Sequence, residues 1–169
     1  MPTIETERLV LRAFTQADLE PYFDMCSDPE VVKYLGDGTT LSRTDAWRHL
    51  AIFLGTWQLR GYGMWAAEEK TTGRFVGRVG YLHPAGWPGI ELAWALARQF
   101  WGLGLASEAS RACLNYGFTA CKFDHVISLI QPQNSRSIAV AERLGARHES
   151  STEVFGKAHL TYGIRRNAE

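Results

Sequence analysis

Gln99-Phe-Trp-Gly-Leu-Gly-Leu-Ala106 joins a short apolar run, Ile90-Glu-Leu-Ala-Trp-Ala-Leu-Ala97, to a helix-patterned one, Ser107 to Phe118. A strand that ends in a glycine-bearing turn and opens a helix is an anion cradle. Gly102 and Gly104 remove two Cβ atoms, so the backbone can turn sharply and approach a ligand closely. The N–H groups of the helix's first turn then point at that ligand, and the helix dipole favours negative charge there. A phosphate-bearing cofactor is the first expectation. The run is not a dinucleotide fingerprint, because no third glycine follows three residues on. Nor is it a P-loop, because no Gly-Lys-Ser/Thr follows.

Outward from this run, the chain reads as alternating elements. Glu7 to Phe14 alternates like a first strand. Thr15 can cap a helix carrying Leu19, Tyr22, Phe23 and Met25-Cys26, and Asp28-Pro29 restarts a short one. Ser42 or Thr44 opens a helix with Trp47, Leu50, Ala51, Leu54 and Trp57 at steps of three and four, ending near Gly61. Met64–Glu68 and Arg74–Leu82, separated by Lys70-Thr-Thr-Gly73, carry a hairpin signal. His83–Gly89 is a turn-rich connection. A helix over about 104–121 leads to a strand over His125–Ile130. Asn134 caps a helix over Ser135–Leu144, which Gly145 ends. Strand-like pieces follow near 146–155 and 159–165. The pattern predicts one α/β domain over 1–169, a mixed, mostly antiparallel twisted sheet of six to seven strands with helices on both faces. Strand 90–97, the helix after it and strand 125–130 should form a right-handed parallel crossover.

The 169 residues suffice to bury roughly two-thirds of the unfolded surface. A hydrophobic fraction of 46% argues for a folded globule. No run approaches the ~20 apolar residues of a membrane span, and the first residues lack the basic and apolar regions of a signal peptide. Cys26, Cys113 and Cys121 have no metal spacing and leave one unpaired, which fits a reduced, cytoplasmic compartment. Lys plus Arg and Asp plus Glu balance at 18 each, so composition shows no basic field for nucleic acid. A small molecule or a peptide end is the more natural partner. The late strands offer an edge on which two copies could pair as a homodimer.

Five segments, in order and covering nearly the whole chain, resemble the GNAT N-acetyltransferase superfamily, in its ribosomal-protein alanine N-acetyltransferase branch. Thr6–Arg12 is similar to that branch's opening strand, and Asp28–Leu35 to its second helix. Thr72–Tyr81 is similar to its central hairpin. Phe100–Ala109 looks like its pyrophosphate loop and helix start. Asn134–Ala146 looks like the segment after its fifth strand. Leu103, Leu105, Ala93 and Ala146 depart from the residues frequent at these positions, without removing a backbone donor.

The resemblance implies acetyl-CoA as co-substrate, no metal, and a primary amine as acceptor, either a protein N-terminus or a small molecule, attacking directly in a ternary complex. The amine must lose a proton, the tetrahedral oxyanion needs a donor from strand 90–97, and the leaving thiolate needs a proton or hydrogen bond. Glu91 is the candidate base; its other reading is an ion pair with Arg78. Ser137 is the candidate for the leaving thiolate, and Tyr162 is its rival. The resemblance places Gly102, Leu103, Gly104, Leu105, Ala106 and Ser107 at the pyrophosphate, the backbone of Trp94 and Leu96 at the thioester and pantetheine, and Asn134 at the pantetheine arm as well as at its cap. Trp47, Trp57, Trp65, Trp87 and Tyr81 are candidates to line an acceptor cleft, Trp87 foremost because it sits in a loop. His83 is a further candidate base. A non-catalytic acyl-CoA sensor of the same fold is the alternative function.

Overall fold

Alternation of buried and half-exposed residues over Leu9–Arg12 builds a strand whose Leu9 and Leu11 are fully buried. In the computed structural model, which describes residues 1–166, that strand belongs to a single eight-stranded sheet. The strands are β1 (Ile4–Glu5), β2 (Leu9–Arg12), β3 (Met64–Glu69), β4 (Phe75–Leu82), β5 (Glu91–Leu96), β6 (His125–Ile130), β7 (Arg147–Val154) and β8 (Lys157–Arg165). The helices are α1 (Leu19–Ser27), α2 (Pro29–Val32), α3 (Arg43–Arg60), α4 (Leu105–Thr119) and α5 (Ser135–Leu144).

The sheet order is β1-β2-β3-β4-β5-β6-β8-β7. Every neighbouring pair is antiparallel except β5 and β6. The six to seven strands expected become eight. The extra one is the two-residue β1, too short to show a period-2 pattern. The last hairpin also folds back, so that β8 lies between β6 and β7.

Local signals set the helix ends. Ser42 accepts from the Asp45 N–H at the start of α3, and Gly61 closes it at φ 73°. Asn134 accepts from the Ser137 N–H at 3.2 Å, and Gly145 closes α5 at φ 93°.

Alternate residues of β4 face opposite layers. Tyr81 sends its hydroxyl to the Cys113 carbonyl of α4 at 2.6 Å. Arg78, three residues earlier, lies 5.7 Å from the Phe53 ring of α3. Helices therefore cover both faces. Phe14, Tyr22, Phe53 and Phe75 pack at ring separations of 5.3–6.4 Å on the α1/α3 side. Asp18, 2% exposed, takes two 2.8 Å bonds from Arg12, whose Nε also reaches Glu68 at 2.7 Å. Among the described residues no helix is long and apolar enough to cross a membrane.

Candidate active site

The phase of the β4–β5 ladder decides which way β5 presents its backbone. The Ala97 N–H donates to the Val76 carbonyl at 2.9 Å. With the observed register, Glu91, Ala93 and Ala95 bond toward β4, while Leu92, Trp94 and Leu96 turn their polar groups toward β6. Yet β6 meets β5 at one register pair, Glu91 with Ile127. Beyond it the two strands splay. Ser128 Oγ takes up the Leu92 carbonyl at 2.7 Å, and Trp101 Nε1 takes up the Leu96 carbonyl at 2.8 Å. Trp94 therefore presents both its N–H and its carbonyl to the gap. Leu96 offers its N–H, its carbonyl being bonded to Trp101.

The far end of β5 runs into the glycine turn. Gly102 and Gly104 adopt φ 78° and 79°, the left-handed region that costs L side chains energy. Gly104 caps α4 without any side-chain hydrogen bond. The first helical bond is from the Glu108 N–H to the Gly104 carbonyl at 3.1 Å, so the N–H groups of Leu105, Ala106 and Ser107 have no intrahelical partner. Arg8 Nη1 holds the Leu103 carbonyl at 2.9 Å, which pins the turn. Arg143 Nη1 donates to Ser107 Oγ at 2.8 Å, and the Arg136 guanidinium stacks 4.7 Å from the Trp101 ring. Arg8 is itself paired with Glu108 at 2.6 Å, so free N–H groups, a helix N-terminus and the two arginines Arg136 and Arg143 are what fit a diphosphate.

At the near end of the gap, a cleft of about 740 Å³ opens on the α1/α3 side. It gathers Glu91, Trp94, Asn134 and Ser137 on one wall. Glu91 is 8% exposed, and Trp87 Nε1 donates to its Oε2 at 2.7 Å. Burial pushes this carboxyl up; the Trp87 bond, the Arg78 charge and the Leu129 N–H pull it back, leaving it at about 7. A carboxyl half-ionised near neutrality suits a base. Among the described residues no acidic oxygen lies within 4 Å of Arg78, so the alternative of a Glu91–Arg78 ion pair is not what the structure contains.

Other expected residues fall elsewhere. Tyr162 is 8% exposed and packs with Ile130, Ala141 and Ala146, off the cleft. Trp57, Trp65 and Tyr81 are core, their polar tips satisfied by the Met64, Pro2 and Cys113 carbonyls. Trp47 is 53% exposed on α3. Of the five aromatic candidates, Trp87 lines the cleft. His83 pairs with the Tyr62 hydroxyl at 3.1 Å instead. Among the described residues no group of three His, Cys, Asp or Glu is placed to hold a metal ion.

The cleft also contains residues that the sequence reading did not place in it: Tyr22, His49, Phe53, Arg78, Phe155 and His159. His49 Nδ1 lies 3.0 Å from the Tyr22 hydroxyl; burial and the Arg78 charge lower its pKa against the opposing pull of Asp45. Arg78 carried a signal: it is a lone charge in the apolar strand Phe75–Leu82.

Residues 8–147 match the family model described as acetyltransferase (GNAT) domain. An uncharacterized protein, YkkB of Bacillus subtilis (strain 168), is 33% identical over 165 residues, 93% of this chain and 92% of that one. The uncharacterized N-acetyltransferase p20 of Bacillus licheniformis is 29% identical over 94% of this chain and 89% of its own length. Among solved structures, an acetyltransferase from Agrobacterium tumefaciens str. C58 superposes with a TM-score of 0.87 at 30% identity, covering 98% of this chain and 95% of that one. RimL, a ribosomal L7/L12 alpha-N-protein acetyltransferase solved with coenzyme A, shares the fold at a TM-score of 0.81 and 17% identity, over 97% of this chain and 98% of its own. An open gap between parallel strands, an uncapped helix behind a glycine turn and these matches agree: the chain belongs to the GNAT acetyltransferase family and is an N-acetyltransferase.

Proposed function

We propose that the protein moves an acetyl group from acetyl-CoA to a primary amine, of a small molecule or of a protein N-terminus, by direct attack in a ternary complex. Acetyl-CoA supplies an acyl group activated as a thioester. The observation that carries the reading is Glu91: a carboxyl buried in the wall of the cleft, at the end of β5 where pairing with β6 stops and the gap begins, and held near neutral pKa. In this reading the carboxylate takes a proton from the incoming ammonium, directly or through one water, so that the neutral amine attacks. The Trp94 N–H faces the same gap and would stabilise charge growing on the carbonyl oxygen. Ser137, in the first turn of α5, would donate to the departing sulfur. The N–H groups of residues 102–107 would hold the diphosphate, and the Asn134 amide the pantetheine arm. A ribosomal-protein N-terminus is one acceptor of this kind, being the acceptor class named for RimL.

The test is thiol release from acetyl-CoA across a panel of amines and N-terminal peptides, with mass spectrometry of the products. Amine-dependent release with an N-acetyl product is expected. CoA binding with no release on any acceptor would leave the non-catalytic sensor reading in its place.

A further inference from the structure

Arg78 sits mid-strand on β4, and its Nε and Nη1 are shut off from solvent with no hydrogen-bond partner among the described residues. A buried guanidinium without a partner is costly, because nothing replaces the water it lost. Its surroundings supply a cavity rather than a counter-ion. It faces the cleft between Tyr22 and Cys26 of α1 and His49 and Phe53 of α3, with the Phe53 ring 5.7 Å from its carbon. Every carboxylate on the cleft wall is already engaged. Asp37 accepts from Thr39, Asp45 from Ser42 and Arg48, and Glu91 from Trp87. Among the described residues, therefore, no carboxylate pairs with the cation.

Its position relative to Glu91 is set by register. Arg78 pairs with Ala95, and Leu82 pairs with Glu91, so Arg78 and Glu91 share one face of the sheet. Four residues separate them along the strand, roughly 13 Å at the backbone, and two long side chains close much of that span. Gly80 and Ala93 lie between them, so no bulky side chain divides the floor.

We propose that Arg78 is the anion anchor of the acceptor side of the cleft, so that the acceptor is an amine carrying a carboxylate several bonds from its nitrogen. This rests on the amine-acceptor reading above and narrows it. The amine stands at Glu91 and the carboxylate meets the edge of the Arg78 guanidinium that lines the cleft, Nη2 foremost, since Nε and Nη1 lie behind it. Charge-assisted bonds are strong, and leaving them unmade with a neutral acceptor is penalised.

The experiment compares ω-amino acids of three to five carbons with n-alkylamines of the same lengths, in the parent, Arg78→Met and Arg78→Lys. A third arm uses a peptide with a free N-terminus and aspartate at its second residue, against its asparagine form. We expect kcat/KM to favour the carboxylate-bearing member by about 10- to 100-fold. Whichever arm shows the gain, free amino acid or peptide, identifies the source of the carboxylate. Arg78→Met should erase the gain, leave CoA affinity unchanged and not lower Tm, since it removes an unpaired buried cation. Because it also removes a charge that pulls the Glu91 carboxyl down, charged and neutral acceptors are compared well above neutrality, where alkylamines should keep their turnover. Arg78→Lys should restore part of the gain.

Equal rates for charged and neutral acceptors in the parent would overturn the anchor while leaving acetyl transfer intact. So would an Arg78→Met variant that loses Tm and all activities together, because that is a structural arginine. If no amine is acetylated, it is the acetyl-transfer reading that fails. Calorimetric titration of 5-aminopentanoate into the CoA-loaded protein then reads the anchor directly. Binding in the parent that Arg78→Met abolishes supports it, and no binding in the parent overturns it.

Discussion

Trp87 Nε1 donates to Glu91 Oε2 at 2.7 Å, so the loop before β5 holds the carboxylate that β5 buries. That bond stabilises the ionised form against a burial that opposes it. Trp87→Phe keeps an aromatic ring and deletes the donor, so the Glu91 pKa rises further above about 7. The acid limb of the pH–rate profile should move to higher pH, with a larger rate loss below neutrality than well above it. A limb that stays in place would separate Trp87 from the titrating group.

Glu91→Gln removes the base itself. Above neutrality, where the parent is ionised, kcat should fall by roughly 10²–10⁴-fold. At lower pH the two profiles should converge, because the parent is protonated there too. CoA affinity should survive. Stability gives an independent check. The folded pKa of about 7 lies above the ordinary glutamate value of 4.5. The folded state therefore binds the proton more tightly, and the parent loses stability as pH rises from 4.5 to about 7. Glu91→Gln cancels that loss, so its Tm relative to the parent should be higher in alkaline than in acidic buffer. Parallel Tm curves would return Glu91 to an ordinary environment.

Ser137→Ala should lower kcat more than it changes the Kd for acetyl-CoA, since the sulfur gains charge only as its bond breaks. A loss of about 10-fold matches one hydrogen bond made in the transition state. Tyr162→Phe, in the small core beside α5, should leave kcat near the parent's. The reverse pair of results in steady-state kinetics would transfer the role to Tyr162.

Gly104→Val places a β-branched side chain at φ 79°, at the helix end whose N–H groups are free. Isothermal titration should show CoA affinity reduced by about 10- to 100-fold, the scale of one or two lost charge-assisted hydrogen bonds. The strained backbone should also cost roughly 1–2 kcal/mol of stability. Unchanged affinity in a folded variant would remove the diphosphate from this turn.

Asp18→Asn tests the buried network that ties β2 to β3. Burial pushes the Asp18 carboxyl up, but the Arg12 bonds, the Thr15 N–H and the Arg12 charge outweigh it, and the pKa ends below the ordinary value. Its contribution is therefore present above the ordinary carboxylate range and lost as pH falls through the lowered folded pKa. The variant should lose about 3 kcal/mol at neutral pH, read as a lower denaturation midpoint. The difference from the parent should shrink in strong acid.

The sequence by itself determined what depends on neighbours along the chain. Gly102, Gly104 and Gly145 take the positive φ that their turns need, and Asn134 caps the helix that follows it. These are one-turn effects of sterics and local hydrogen bonding, so residue type suffices to read them. Periodicity likewise gave the helices and the longer strands, because one face of each must meet the core. The two-residue β1 carried no period to read, and the order β6-β8-β7 depends on pairing between distant segments.

Only the tertiary structure decided what each functional side chain faces. Trp57, Trp65 and Trp87 are alike in sequence, yet two fill the core and one bonds Glu91. Glu91 could be read as a candidate base, but its pKa near neutrality comes from desolvation by α-helical and sheet layers brought from elsewhere in the chain. Arg78 could be read as a partner for Glu91. The β4–β5 register instead sets it four residues away on the same face, on the wall of the cleft beneath α1 and α3. Burial and charge pairing are sums over all neighbours in space, and a linear sequence does not list those neighbours.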